Sequence, residues 1–115
     1  MKDPHEESWQ RLLHIEKSIE TIEQYVKGET SDTFCNTALL HDAVLLQFVI
    51  IGEAIVHVEN ELLNKYDYPW YKVRSFRNMI AHEYFNIKLK AVWLIVETDI
   101  PQLKILIKSI LEKKF

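Results

Sequence analysis

Apolar residues recur at three- and four-residue steps through Trp9, Leu12, Leu13, Ile15, Ile19, Ile22 and Val26, the spacing that lines one side of an α-helix. Asp3-Pro4 ahead of this run reads as an N-cap followed by proline in the first turn, where its missing N–H costs nothing. Gly28 can end the run in a left-handed conformation, so the pattern predicts a first helix over residues 5–27. Glu29 to Asn36 is polar and reads as a connection, with Ser31 or Asp32 capping one short turn that buries Phe34. From Thr37 to Asn64 no proline intervenes, and a long central helix is expected. Between Ala43 and Val58 it is apolar nearly all round, interrupted by Gln47, Gly52, Glu53 and His57, so protein must cover more than one of its faces. Asp42, Glu53 and His57 keep it short of the roughly 18 uninterrupted apolar residues of a membrane span, and no membrane is expected.

Lys65 to Pro69 breaks the helical pattern, and Trp70 to Glu83 predicts a third helix with Val73, Phe76, Met79 and Ile80 on its buried side. A link from Tyr84 to Ile87 leads to a last helical region, Lys88 to Lys113. Asp99-Ile-Pro101 divides that region, because proline inside a helix removes a hydrogen bond and clashes with the preceding turn; a kink or a fresh start capped by Asp99 is expected. The sum is a single domain over residues 1–115, an all-α, up-and-down bundle of four to five helices. The chain's 48% hydrophobic content supports one real core. Its two glycines leave little for the tight turns of a many-stranded sheet and nothing for a phosphate-cradling loop. A lone cysteine, Cys35, makes no internal disulfide, and the acidic, polar start lacks the apolar stretch of a signal peptide. A cytoplasmic location is the expectation.

The net charge of -3 argues against a general nucleic-acid binder, but it is an average over unlike segments. Residues 1–64 carry -8, residues 65–90 carry +4 and residues 91–115 carry +1. The positive charge gathers in Lys65, Lys72, Arg74, Arg77, Lys88 and Lys90, where a polyanion could use it locally. The competing use of these groups is pairing with the acidic helices of the same or a neighbouring chain.

Metal chemistry finds no pattern. His82-Glu83 begins like a zinc-protease helix, but Asn86 stands where the second histidine is required. His14, His41 and His57 lack a paired ligand spacing, so no metal or cofactor is expected. Glu53, amid apolar residues, must be paired or face a site. The segment Arg77 to Tyr84 is different, placing a fixed cation, the Asn78 amide, the His82 imidazole and a phenol within eight residues. On an ideal helix Asn78 and His82 stack at i, i+4, whereas Arg77 and His82 diverge by about 140°. Either the helix ends near His82 and turns, or two copies face each other across a two-fold axis and form one composite cleft.

Arg77-x4-His82-x-Tyr84 resembles the signature of the HEPN superfamily in its HepT-like form. Ile51-Gly-Glu-Ala54, Pro69-Trp70, Arg77-Asn78, Ala91-Val-Trp93 and Asp99-Ile-Pro101-Gln-Leu103 are similar to the HepT-like pattern in the same order, over residues 10–111. Where many relatives carry glycine after the histidine, this chain has Glu83. The resemblance implies a HEPN-like fold and a homodimeric, metal-independent endoribonuclease, the toxin of a toxin–antitoxin pair. Arg77 and His82 would be catalytic, and Asn78, Tyr84 and Arg74 would support them on the RNA. The implied partner is a nucleotidyltransferase-fold, MntA-like antitoxin that silences the toxin by transferring AMP to Tyr84. Assembly of the homodimer into a higher oligomer is left open, and the alternative is a non-catalytic helical dimer that binds such a partner or a nucleotide.

Overall fold

The Asp3 carboxylate accepts a hydrogen bond from the His5 N–H at 3.0 Å and starts helix α1 (Pro4–Val26), with Pro4 in its first turn. The helix stops where Gly28 takes a left-handed φ of +78° and the Glu29 N–H closes on the Val26 carbonyl at 2.9 Å. The computed structural model describes residues 3–113; residues 1, 2, 114 and 115 of the expected single domain lie outside the described residues.

Helix α2 (Ser31–Asn36) buries Phe34 as expected, but its cap is Thr30 and not Ser31 or Asp32. Thr30 and Thr33 bond reciprocally, side chain to backbone, at 3.2 and 2.8 Å, which satisfies two amides at once.

The central helix is shorter than its apolar run. Helix α3 (Ala38–Ile55) ends, a turn follows, and α4 (Asn60–Leu63) adds one further turn. The cause is distant in sequence: the fully buried Ser8 of α1 accepts the Glu59 N–H at 3.0 Å, so this amide does not continue the helix. Past α4, the Trp70 indole N–H donates to the Leu63 carbonyl at 2.9 Å, and α5 (Trp70–Glu83) begins. A 3-10 turn, Tyr84–Asn86, leads to α6 (Leu89–Glu112).

Helix α6 makes no fresh start at Pro101, and Asp99 does not cap it. Its buried residues Val96, Ile100, Leu103 and Ile107 keep step across the proline, so packing outweighs the lost hydrogen bond. All described regular structure is helical. Helix α1 packs against both α3 and α6, and α3 also packs against α5. Leu12, Ile15, Ile19, Ile22, Phe48, Ile51, Leu103 and Ile107 are fully or almost fully buried among these helices. Outside the core, Lys104 bonds Glu23 at 2.8 Å and Lys108 bonds Glu16 at 3.1 Å, tying α6 to α1.

By length and composition alone α3 could cross a membrane. Here Val44, Phe48, Ile51 and Ile55 are buried in the bundle core, while Leu39, Leu46 and Ile50 stay exposed.

Candidate active site

Helices α3 and α5 run antiparallel, and their register places each motif residue. Phe48 stacks on Phe76 with ring centroids 5.0 Å apart. One turn further along α3, Gly52 meets α5 so closely that a β-carbon on it would lie 2.8 Å from the Arg77 backbone nitrogen and 3.1 Å from the Arg77 Cβ. Glycine in mid-helix costs about 1 kcal/mol against alanine, and this crossing is what its missing side chain permits.

The neighbouring Glu53 binds Arg77 through Oε1 to Nε, with both side chains about half exposed. This contact uses the inner edge of the guanidinium. Arg77 Nη1 also donates to Asn78 Oδ1 in a long bond of 3.4 Å. The guanidinium therefore keeps N–H groups to offer an incoming phosphate, in the fork geometry that suits such oxygens. Arg74, one turn earlier, donates to Asn60 Oδ1 at 2.8 Å.

His82 lies exposed near the end of α5. Because α5 continues through Glu83, the helix does not turn soon enough to swing His82 onto the Arg77 side. Tyr84 follows on the 3-10 turn, and its hydroxyl reaches both carboxylate oxygens of Asp42 at 3.3 Å. The Asp42 charge, then the hydrogen bond to it, push the Tyr84 pKa above the usual phenol value. One chain thus gathers Arg77, Asn78 and Glu53 in one cluster and Tyr84 and Asp42 in another, with His82 in neither.

Asp42 reads in the sequence only as an interruption of an apolar helix, and Gly52 as an interruption that also falls in the Ile51-Gly-Glu-Ala54 resemblance. The mid-helix glycine was the available signal for a close crossing; nothing local marked Asp42 as a partner of Tyr84. Of the basic stretch, Arg77 pairs with an acidic helix, whereas Lys65, Lys72, Lys88 and Lys90 are exposed and make no ion pair with any described residue. Among the described residues no three His, Cys, Asp or Glu side chains are placed to hold a metal ion.

An all-α bundle of this layout, with Arg-x4-His-x-Tyr at the end of one helix, defines a HEPN-like helical domain. The family model "Ribonuclease HepT-like" matches residues 15–110, and the chain belongs to that family. It is 41% identical over 103 residues to "Gamma-glutamylcyclotransferase and putative RNase" of Methanocaldococcus jannaschii, covering 89% of this chain and 46% of that protein. It is 31% identical over 104 residues to a "Putative RNase" of Caldanaerobacter subterraneus, covering 90% of this chain and 93% of the relative. It is 30% identical over 94 residues to "Probable ribonuclease HepT" of Thermococcus cleftensis, covering 81% of this chain and 86% of the relative. The chain thus spans less than half of the first of these relatives and most of the other two. No solved structure gives a significant match.

Proposed function

We propose that this chain is an endoribonuclease that works as a two-fold homodimer and is the toxin of a toxin–antitoxin pair. The observation that carries the reading is the Glu53–Arg77 pair seated over Gly52 on the same helix as an unencumbered His82, in a chain of the HepT-like ribonuclease family. Cleaving RNA needs a base for the 2′-hydroxyl proton, an acid for the leaving 5′-oxygen and a cation for the phosphorane. An imidazole exchanges protons near neutral pH and serves either proton role, each worth about 10²–10⁴-fold. Arg77 remains charged while negative charge builds on the phosphate oxygens. These groups supply the reaction without a metal ion.

One chain offers a single His82, diverging from its own Arg77. A second copy supplies the other half. Leu39, Leu46 and Ile50 are 88%, 57% and 37% exposed, and on an ideal helix they share with Glu53 a stripe about 60° wide. An apolar stripe of this kind favours burial against a partner, and it leads directly to the Arg77 cluster. In the dimer one histidine takes the 2′-hydroxyl proton as that oxygen attacks phosphorus, and the other protonates the departing 5′-oxygen. A nucleotidyltransferase-fold antitoxin silences the enzyme by moving AMP onto Tyr84, which puts bulk and a negative phosphate in the path of RNA.

The test is cleavage of RNA by the purified protein and by its Arg77→Ala and His82→Ala variants. Both variants lose cleavage while circular dichroism stays helical. Variants that cut as well as the parent overturn the assignment. A parent that never cuts but holds a nucleotidyltransferase-like protein points to the non-catalytic dimer.

A further inference from the structure

Beside Tyr84 lies a hollow of about 270 Å³ lined by His41, Asp42, Leu45, Tyr84, Phe85 and Ile87, among others. It is smaller than the pockets of roughly 300–1,000 Å³ that hold drug-sized ligands, and its size suits one planar ring system. Leu45 is almost fully buried and forms an apolar wall, whereas Phe85 is 94% exposed and stands edge-on to the Tyr84 ring at 5.3 Å. Leaving a phenylalanine in water is costly, and an exposed aromatic pair beside a cleft is the platform on which unpaired bases stack.

The polar group in the hollow decides which base. Asp42 is about half exposed. Its two oxygens share one Tyr84 hydroxyl at 3.3 Å each, beyond the usual O–H···O range, so most of its accepting capacity is unused. His41 Nδ1 lies 3.3 Å from Asp42 Oδ1 but has no hydrogen bond to it. A phosphate entering here would meet a carboxylate and be repelled. A base edge with two adjacent N–H donors would meet its complement. Guanine alone among the four RNA bases presents two neighbouring donors, N1–H and N2–H, on its Watson–Crick edge. Adenine and cytosine pair a donor with an acceptor there, and uracil flanks its single N–H with two carbonyl oxygens.

We infer that this hollow is a guanine-selective subsite for an RNA nucleotide next to the scissile phosphate, with Asp42 accepting from N1–H and N2–H and Phe85 stacking on the base. The inference rests on the ribonuclease reading for its substrate class. Tyr84 sits two residues past His82 in the chain, which ties the subsite to the proposed catalytic histidine. Its hydroxyl competes with guanine for the carboxylate, so removing that hydroxyl strengthens guanine binding.

The experiment measures the affinity of the full-length His82→Ala protein for four fluorescent RNA pentamers, uridine throughout except for G, A, C or U at the centre. The guanine pentamer binds about tenfold tighter than the others, within the range of one bidentate base contact. Adding Asp42→Asn brings the four within twofold; adding Phe85→Ala weakens all of them; adding Tyr84→Phe widens the guanine preference. Circular dichroism and gel filtration verify that the variants keep their fold and assembly. Equal affinity for the four RNAs, absence of binding to all of them, or a guanine preference that survives Asp42→Asn overturns the subsite. Cleavage of the same pentamers by the parent separates the two claims. Cutting with no base preference retains the ribonuclease and rejects the subsite, while selective binding without any cutting does the reverse.

Discussion

Gly52 of α3 lies against Arg77 of α5 so closely that a β-carbon on it would stand 2.8 Å from the Arg77 backbone nitrogen. The nearest atoms belong to the α5 backbone and to the root of the Arg77 side chain, neither of which yields as the tip of a flexible side chain would. Two effects oppose each other in Gly52→Ala. Alanine gains up to about 1 kcal/mol of helix propensity, and overpacking costs about 1–3 kcal/mol. Because backbone must move, the clash wins. The expected net loss is about 1–2 kcal/mol, several degrees in Tm for a domain of this size, and α5 shifts under Arg77. RNA cleavage should fall much further than the unfolded fraction accounts for. A variant with unchanged Tm and full activity would show that the crossing does not position the arginine.

Glu53 orients Arg77, and it also neutralises it. The pair is about half exposed on both sides, where solvent screening leaves an ion pair about 0–1 kcal/mol. Glu53→Gln should therefore change Tm little while it alters the reaction in two directions. Removing the carboxylate raises the local positive charge, so RNA binds more tightly and KM falls. The guanidinium loses its anchor, so kcat falls too. A merely structural Glu53 would move Tm and leave this split absent.

Ser8 is the stitch between α1 and the turn after α3. It is fully buried, accepts the Glu59 N–H at 3.0 Å and reaches Glu59 Oε2 at 3.4 Å. Ser8→Ala keeps the volume nearly constant but leaves the Glu59 amide without its acceptor, at a cost of about 1–3 kcal/mol. Thermal unfolding should shift down by roughly 4–8 °C for each kcal/mol lost. Hydrogen exchange at Glu59 should accelerate ahead of global unfolding. An unchanged rate there would mean another group holds the turn.

The ends of α1 and α5 were legible in the sequence because their causes are local: Asp3-Pro4, Gly28, Pro69. The end of α3 was not, since the group that takes the Glu59 N–H sits 51 residues away. At Pro101 the fresh start does not occur, for the opposite reason. The proline is a strong local signal, but the spacing of Val96, Ile100, Leu103 and Ile107 across it outweighs it. At the site, Arg77, His82 and Tyr84 announced themselves by residue type and spacing. Of their partners, Glu53 was marked by its place amid apolar residues, but Gly52 and Asp42 join it as a set only when α3 and α5 lie antiparallel in one register.

Tyr84 should titrate late, since the Asp42 carboxylate and its hydrogen bond hold the phenol in its protonated form. The folded state binds this proton more tightly than the unfolded chain. Whatever stability the contact contributes is thus present below the ordinary phenol pKa near 10 and is lost as pH rises through the raised value. Asp42→Asn removes the charge and should bring the Tyr84 transition back toward about 10. The measurement is phenolate absorbance against pH, with Tyr84→Phe subtracted to isolate this residue from the other tyrosines. A transition that does not move in Asp42→Asn would rule out the contact in solution.

The divergence of Arg77 and His82 on one continuous helix makes the dimer testable by complementation. Arg77→Ala and His82→Ala homodimers each lack one essential group in every copy, so both should be inactive. A heterodimer of the two retains one Arg77, from the His82→Ala chain, and one His82, from the other. If the cleft is built from both protomers, co-expression or mixing under exchange should raise cleavage above either homodimer but leave it below the parent, because one of the two proton-transfer histidines is missing. If each chain carries a complete site of its own, every site in the mixture lacks one group and no activity returns. Adding Leu46→Glu to both chains places charge in the exposed α3 stripe. It should abolish the rescue and shift the gel-filtration mass to the monomer while circular dichroism stays helical. Rescue that persists with a monomeric mass would exclude the composite cleft.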